Sequence, residues 1–132
     1  MKASNKPAIY LALLHHPVYN KNREVVATAV TNIDVHDIAR SGFTYGLKAV
    51  YYVTPIEPQQ LLLRELIGHW TDGAGAKYNP VRGKAFAGAQ VGTSLEDVLL
   101  EIERREQAPA TLVVTSAREQ EGSLACSAYR EL

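Results

Sequence analysis

Short apolar runs alternate with segments whose apolar residues recur at helical spacing, and this order constrains the fold more than any other feature of the chain. The runs are Ala8 to Leu14 (AIYLALL), Ala49 to Val53 (AVYYV), Phe86 to Val91 and Thr111 to Val114 (TLVV). Runs of this length, closed by turn residues, suit strands covered on both faces. A strand–helix–strand order places them in a mostly parallel sheet with helices on both faces and right-handed crossovers, a Rossmann-like α/β arrangement. At 132 residues one domain, 1–132, is expected.

The intervening segments carry their own start and stop signals. Thr31 and Asp34 have capping-box spacing, with Asn32 as the alternative cap, and Val35, Ile38, Ala39 and Gly42 then share one face. Gly46 is a natural stop. Pro55 and Pro58 announce a second helix with Leu62, Leu66 and Trp70 inward, ended by Gly73 and Gly75. Asp72 to Lys84 (DGAGAKYNPVRGK) has the composition of an exposed, mobile loop. Thr93 and Glu96 form another capping pattern, before Leu95, Val98, Leu99 and Ile102 on one stripe. Val18 to Arg23 reads as a polar loop, Glu24 to Val30 as a short extended piece, and Leu124 to Leu132 as the start of a helix.

Ligands in such sheets sit at the carboxyl ends of the strands. Here those tips are His15 and His16, Thr54, Val91 to Thr93, and Thr115 to Ala117. His15 and His16 cannot easily share a metal, because adjacent strand residues face opposite ways and no third ligand stands at a metal spacing. One should pack and the other, assigned to His16, should face the crevice, where it can touch RNA. The run Gly73-Ala74-Gly75-Ala76-Lys77 follows a helix and lacks the Gly-Lys-Ser/Thr ending, so it is neither a P-loop nor a dinucleotide fingerprint. The same stretch holds Lys77, Tyr78, Arg82 and Lys84, cations with an interleaved tyrosine that suit phosphate contact and base stacking. A solvated loop is the plain alternative. Arg40 lies one turn after His36 and Asp37, either paired with Asp37 or aimed at an RNA phosphate or base; nothing local decides.

Fourteen basic and fourteen acidic side chains cancel, so any nucleic-acid affinity must come from a local cluster. The lone Cys126 cannot form an internal disulfide, which makes a reducing cytoplasm the simplest home. Met1 to Pro7, with Lys2 and Lys6, leads into no clean cleavage site, so Ala8 to Leu14 is read as a strand rather than a secretory leader.

Three segments together resemble a known family: Tyr10 to Pro17 (YLALLHHP), Ala27 to Arg40 (ATAVTNIDVHDIAR) and Trp70 to Arg82 (WTDGAGAKYNPVR). Thr93 to Glu103 followed by Thr111 to Arg118 fits the same order. The chain is similar to the small bacterial SPOUT (trefoil-knot) RNA methyltransferases related to the tRNA guanine methyltransferases. The resemblance implies methyl transfer from S-adenosylmethionine (SAM) to RNA, with a tRNA base expected, and a homodimer in the complete protein. Asn32 and Arg40 match the polar positions of the family's first motif, with Arg40 facing the acceptor. Thr115, Ser116 and Ala117 match the segment touching the donor's adenosine, and Lys77, Tyr78, Arg82 and Lys84 would hold RNA. The knot that wraps the donor has no counterpart here, so an incomplete, inactive form is expected, with weak or no SAM binding. A non-catalytic RNA-binding module is the alternative. An unrelated Rossmann-like nucleotide binder is disfavoured by the missing phosphate fingerprints.

Overall fold

The computed structural model describes residues 6–131. The Met1–Asn5 part of the leader question, with Lys2, and Leu132 of the last expected helix lie outside them. A parallel three-stranded sheet in the order β1-β4-β5 organises the chain. It consists of β1 (Tyr10–Leu14), β4 (Ala49–Val53) and β5 (Ala89–Gly92). The register pairs Tyr10 with Ala49 and Val50 with Ala89. Central β4 is buried at all five positions, as an apolar run between two neighbours should be. β1, on the edge, is only part-buried and leaves Ala12 exposed.

Strand alternation splits the core in two. Val50, Tyr52 and Ala89 face one side, where they meet Val35 and Ala39 of α1 (Asn32–Thr44), Leu63 of α2 (Glu57–Thr71) and Phe86 of α4 (Pro80–Phe86). Ala49, Tyr51 and Val53 face the other, against Val98 of α5 (Leu95–Glu106). The chain steps the same way across the sheet twice, and both crossovers lie on one face, as equal handedness demands. Within the first core the Tyr52 hydroxyl donates to the Val35 carbonyl at 2.7 Å, tying α1 to β4. On the opposite face Tyr10 donates to the Glu106 carboxylate, which also takes Lys48 at 2.7 Å. Burial and then that hydrogen bond raise the Tyr10 pKa to about 12.

Thr31 caps α1 through Asp34, and Gly46 follows the helix at φ 71°, a left-handed stop. Other expectations need correction. The buried residue of α2 is Leu63, packed with Leu66, Ile67 and Trp70, while Leu62 is 53% exposed. The cap of α5 is Ser94, accepting from Asp97, one residue beyond the expected pair. Phe86 closes α4 instead of opening β5. Val18 to Arg23 is not simply a loop: Val18–Tyr19 forms β2, paired antiparallel with β3 (Val25–Val26), which lies within the expected extended piece from Glu24. The final helix α6 is confined to Cys126–Arg130.

Two corrections bear on function. Asp72 to Lys84 is not a mobile loop but two short helices, α3 (Ala74–Tyr78) and α4. Asn79 caps α4, its side chain accepting from the Arg82 amide at 3.1 Å, and Pro80 occupies the first turn. Thr111 to Val114 forms no strand, and Leu112, Val113 and Val114 are 55%, 53% and 82% exposed. β-branched residues favour a strand only where a neighbouring strand takes their hydrogen bonds, and this run pairs with none among the described residues.

Candidate nucleic-acid interface

The helices over the first core bring together cations and rings that lie far apart in sequence. His36 and Arg40 are one turn apart on α1 and so share a face. The C-terminal turns of α2 supply His69 and Trp70, and α4 supplies Arg82 and Phe86. Trp70 stacks on buried Phe86 with centroids 6.3 Å apart and planes at 25°. The His36 ring meets both edge-on, at 5.5 Å from Trp70 and 5.0 Å from Phe86. His69 meets Trp70 edge-on at 4.9 Å. The Arg82 guanidinium lies 4.8 Å from the Trp70 centroid, a cation–π arrangement that fixes a long side chain.

Two glycines make this packing possible. A Cβ on Gly75 would stand 2.6 Å from Trp70 Cε3, and one on Gly83 would stand 2.8 Å from the Trp70 carbonyl oxygen. What reads in sequence as loop punctuation is a pair of contact points that let α3 and α4 lie directly on α2.

The electrostatics follow from the same geometry. His36 has its pKa lowered from the ordinary 6.5, first by burial, then by the positive charges of Arg82 and Arg40, with Asp37 opposing. Both arginines therefore act on one imidazole. Among the described residues the one ion pair is Lys48 with Glu106, so Arg40 is not bridged to Asp37 and Arg82 has no carboxylate partner. An unpaired guanidinium keeps its donor fork for a phosphate or a base edge, and its plane for stacking. Lys77 and Tyr78 lie on α3 and Lys84 on α4, the helix that carries Arg82; Tyr78 is 87% exposed.

The remaining expected residues lie elsewhere. Asn32 opens α1 eight residues before Arg40, about 12 Å along the axis. His15 is the packed histidine, 4% exposed, with its amide donating to the Val53 carbonyl at 2.9 Å. His16 is part-buried before a cis bond to Pro17. Thr115, Ser116 and Ala117 are exposed in the stretch that follows the unformed strand. Sequence reasoning missed His36, His69 and Trp70 as interface residues. The available signal was the four-residue step from His36 to Arg40 and the Asn79-Pro80 start of a helix carrying Arg82.

A family model described as "SAM-dependent RNA methyltransferase" matches residues 8–132. The chain belongs to this family. Among its relatives is a tRNA (guanine-N(1)-)-methyltransferase of Oleidesulfovibrio alaskensis, 44% identical over 110 residues, 83% of this chain and 26% of that protein. A protein of the same name from Nitratidesulfovibrio vulgaris is 40% identical over 116 residues, 86% of this chain and 27% of the other. An uncharacterised protein of Aquifex aeolicus is 33% identical over 110 residues, 83% of this chain and 54% of the relative. The chain thus spans about a quarter of the length of the two named relatives, and the activity in their names describes those whole proteins.

A nucleoside cofactor needs a concave site that buries most of its surface. Thr115 to Ala117 are exposed, as are the residues from Thr111 to Arg130 around them. The residues present in that stretch do not fit SAM as a closed cradle. No described helix is long and apolar enough to cross a membrane.

Proposed function

We propose that this chain is the RNA-facing part of a SAM-dependent methyltransferase whose substrate is RNA, with tRNA as the RNA and a base as the acceptor. The observation that carries the reading is Arg82 held on the Trp70 ring, with Arg40 one turn from His36 on α1 and both unneutralised cations acting on that imidazole. In methyl transfer the protein's contribution is alignment of donor and acceptor. The seam would supply the acceptor half, with Arg40 nearest the target base, Arg82 on the backbone, and Lys77, Tyr78 and Lys84 extending the track. Asn32 and His16 remain proposed contacts at the sheet's carboxyl end, and Thr115 to Ala117 the proposed donor-side loop. The family relationship and the order of the matched segments support a SPOUT-type fold. We also propose a cytoplasmic protein, supported by the free, exposed Cys126, and a homodimer, for which the exposed run Leu112 to Val114 is a surface to cover.

Fluorescence anisotropy with labelled tRNA tests the reading. Arg40→Ala and Arg82→Ala should each weaken binding, and Arg82→Ala should also flatten its salt dependence by about 0.7–0.9 in log–log slope, the value of one phosphate contact. Unchanged affinity and slope in both variants would refute it. A second reading, a binder without transfer activity, is favoured by the exposed Thr115 to Ala117. Methyl incorporation into tRNA from labelled SAM, assayed with a donor-binding part joined to this chain, separates the two.

A further inference from the structure

A second cluster of cations lies outside the seam. The β2–β3 hairpin and the segment around Arg118 enclose a cleft of about 700 Å³ lined by Tyr19, Asn20, Lys21, Arg23 and Arg118. Among the described residues no carboxylate lines it. Glu119 and Glu121, close in sequence, are outside it, and none of its cations forms an ion pair among the described residues. In a chain of zero net charge, three cations on one small concavity are a local field rather than a share of a general one.

The hairpin holds these groups firmly. The Asn20 side chain accepts from the Asn22 and Glu24 amides at 2.8 and 3.0 Å and donates to the Glu24 carboxylate at 2.9 Å. Glu24, the acid next to Arg23 in the chain, is thereby engaged in the turn. The Arg23 amide donates to the Asn20 carbonyl at 3.0 Å, which holds Arg23 at φ 59°. A non-glycine residue in that region is kept only where its surroundings over-determine it. The hairpin base is tied to the end of β1 by the Thr28 amide donating to the His15 carbonyl at 2.7 Å. Tyr19, 75% exposed, offers its ring at the cleft wall.

We infer that this cleft is a second RNA subsite, in which Lys21, Arg23 and Arg118 hold backbone phosphates and Tyr19 stacks an unpaired base. A strand of RNA, rather than a lone anion, fits a cleft of this size with an aromatic platform beside three cations. In the chain the hairpin joins β1 to α1, the helix that carries Arg40. The inference rests on the reading that the ligand is RNA, but uses no residue of the α1–α4 seam.

Binding of a labelled single-stranded oligoribonucleotide and of tRNA, measured by anisotropy across a salt series, tests it. The triple variant Lys21→Ala, Arg23→Gly, Arg118→Ala changes only exposed side chains, and glycine suits the left-handed position. Its urea midpoint should match the wild type. Its log–log salt slope should fall by about 2, one increment of about 0.7 for each lost single-strand phosphate contact, and Tyr19→Ala should weaken the oligonucleotide at unchanged slope. If the triple variant keeps wild-type affinity and slope while Arg40→Ala and Arg82→Ala weaken binding, the inference falls and the functional reading stands. If the triple variant alone loses binding, the inference stands without the seam. A wild-type chain that binds neither RNA overturns both.

Discussion

Gly83→Ala should destabilise the protein, although a glycine-to-alanine change inside a helix ordinarily does the opposite. Gly83 lies within α4, where alanine gains about 1 kcal/mol in helix propensity. Its Cβ would stand 2.8 Å from the Trp70 carbonyl oxygen, a backbone atom that cannot rotate aside. The two helices must separate, and such overpacking costs about 1–3 kcal/mol. The net expectation is a loss of up to about 2 kcal/mol, and with a urea m-value of about 2 kcal/mol/M the midpoint falls by up to about 1 M. Gly68→Ala is the matched control. Gly68 lies inside α2 with nothing within 4 Å of the point a Cβ would occupy, so its midpoint should rise by about 0.25–0.5 M. Both variants are read by circular dichroism during urea unfolding. Midpoints that rise together would refute the claim that α4 packs directly on α2.

Three further outcomes follow from the same structure. Tyr52→Phe removes the hydroxyl that bonds the Val35 carbonyl in the core and should cost about 1 kcal/mol, read in the same unfolding assay; no loss would mean that α1 is not tied to β4 this way. His36, whose pKa is lowered in the fold, takes up its proton more readily when unfolded. Its neutral form therefore favours folding above pH 6.5, and that contribution is lost as pH falls through 6.5 toward the folded value. His36→Phe keeps the ring contacts, so it should lose less stability than wild type between about pH 7.5 and 5.5; equal losses would contradict the assignment. Calorimetric titration of this chain with SAM should show no saturable low-micromolar binding, and such binding would contradict the exposed placement of Thr115 to Ala117.

The parts of the fold legible in sequence were those set by local chemistry. AVYYV could only be a buried strand, and Thr31, Asp34 and Gly46 mark α1 at both ends. The second core face was visible in the stripe through Val98. Where packing decides, the sequence was silent or misleading. Gly73, Gly75 and Gly83 have the composition of a loop, yet Gly75 and Gly83 are where backbones approach Trp70. Thr111 to Val114 has strand composition, but a strand is completed by a neighbour. The candidate site divides the same way. Arg40 and Arg82 stood out by residue type, whereas their convergence on His36 depends on how α1, α2 and α4 cross. Trp70 was read as core, and its second role as the bed for Arg82 belongs to tertiary structure alone.

Ultraviolet crosslinking of the chain to tRNA, followed by mass spectrometry of the crosslinked peptides, bears most directly on where RNA lies. Adducts should fall on the peptides holding His36 to Arg40 and His69 to Lys84, and should diminish in Arg82→Ala. Adducts confined to the outer surface of α5, with the seam unmarked, would contradict the account.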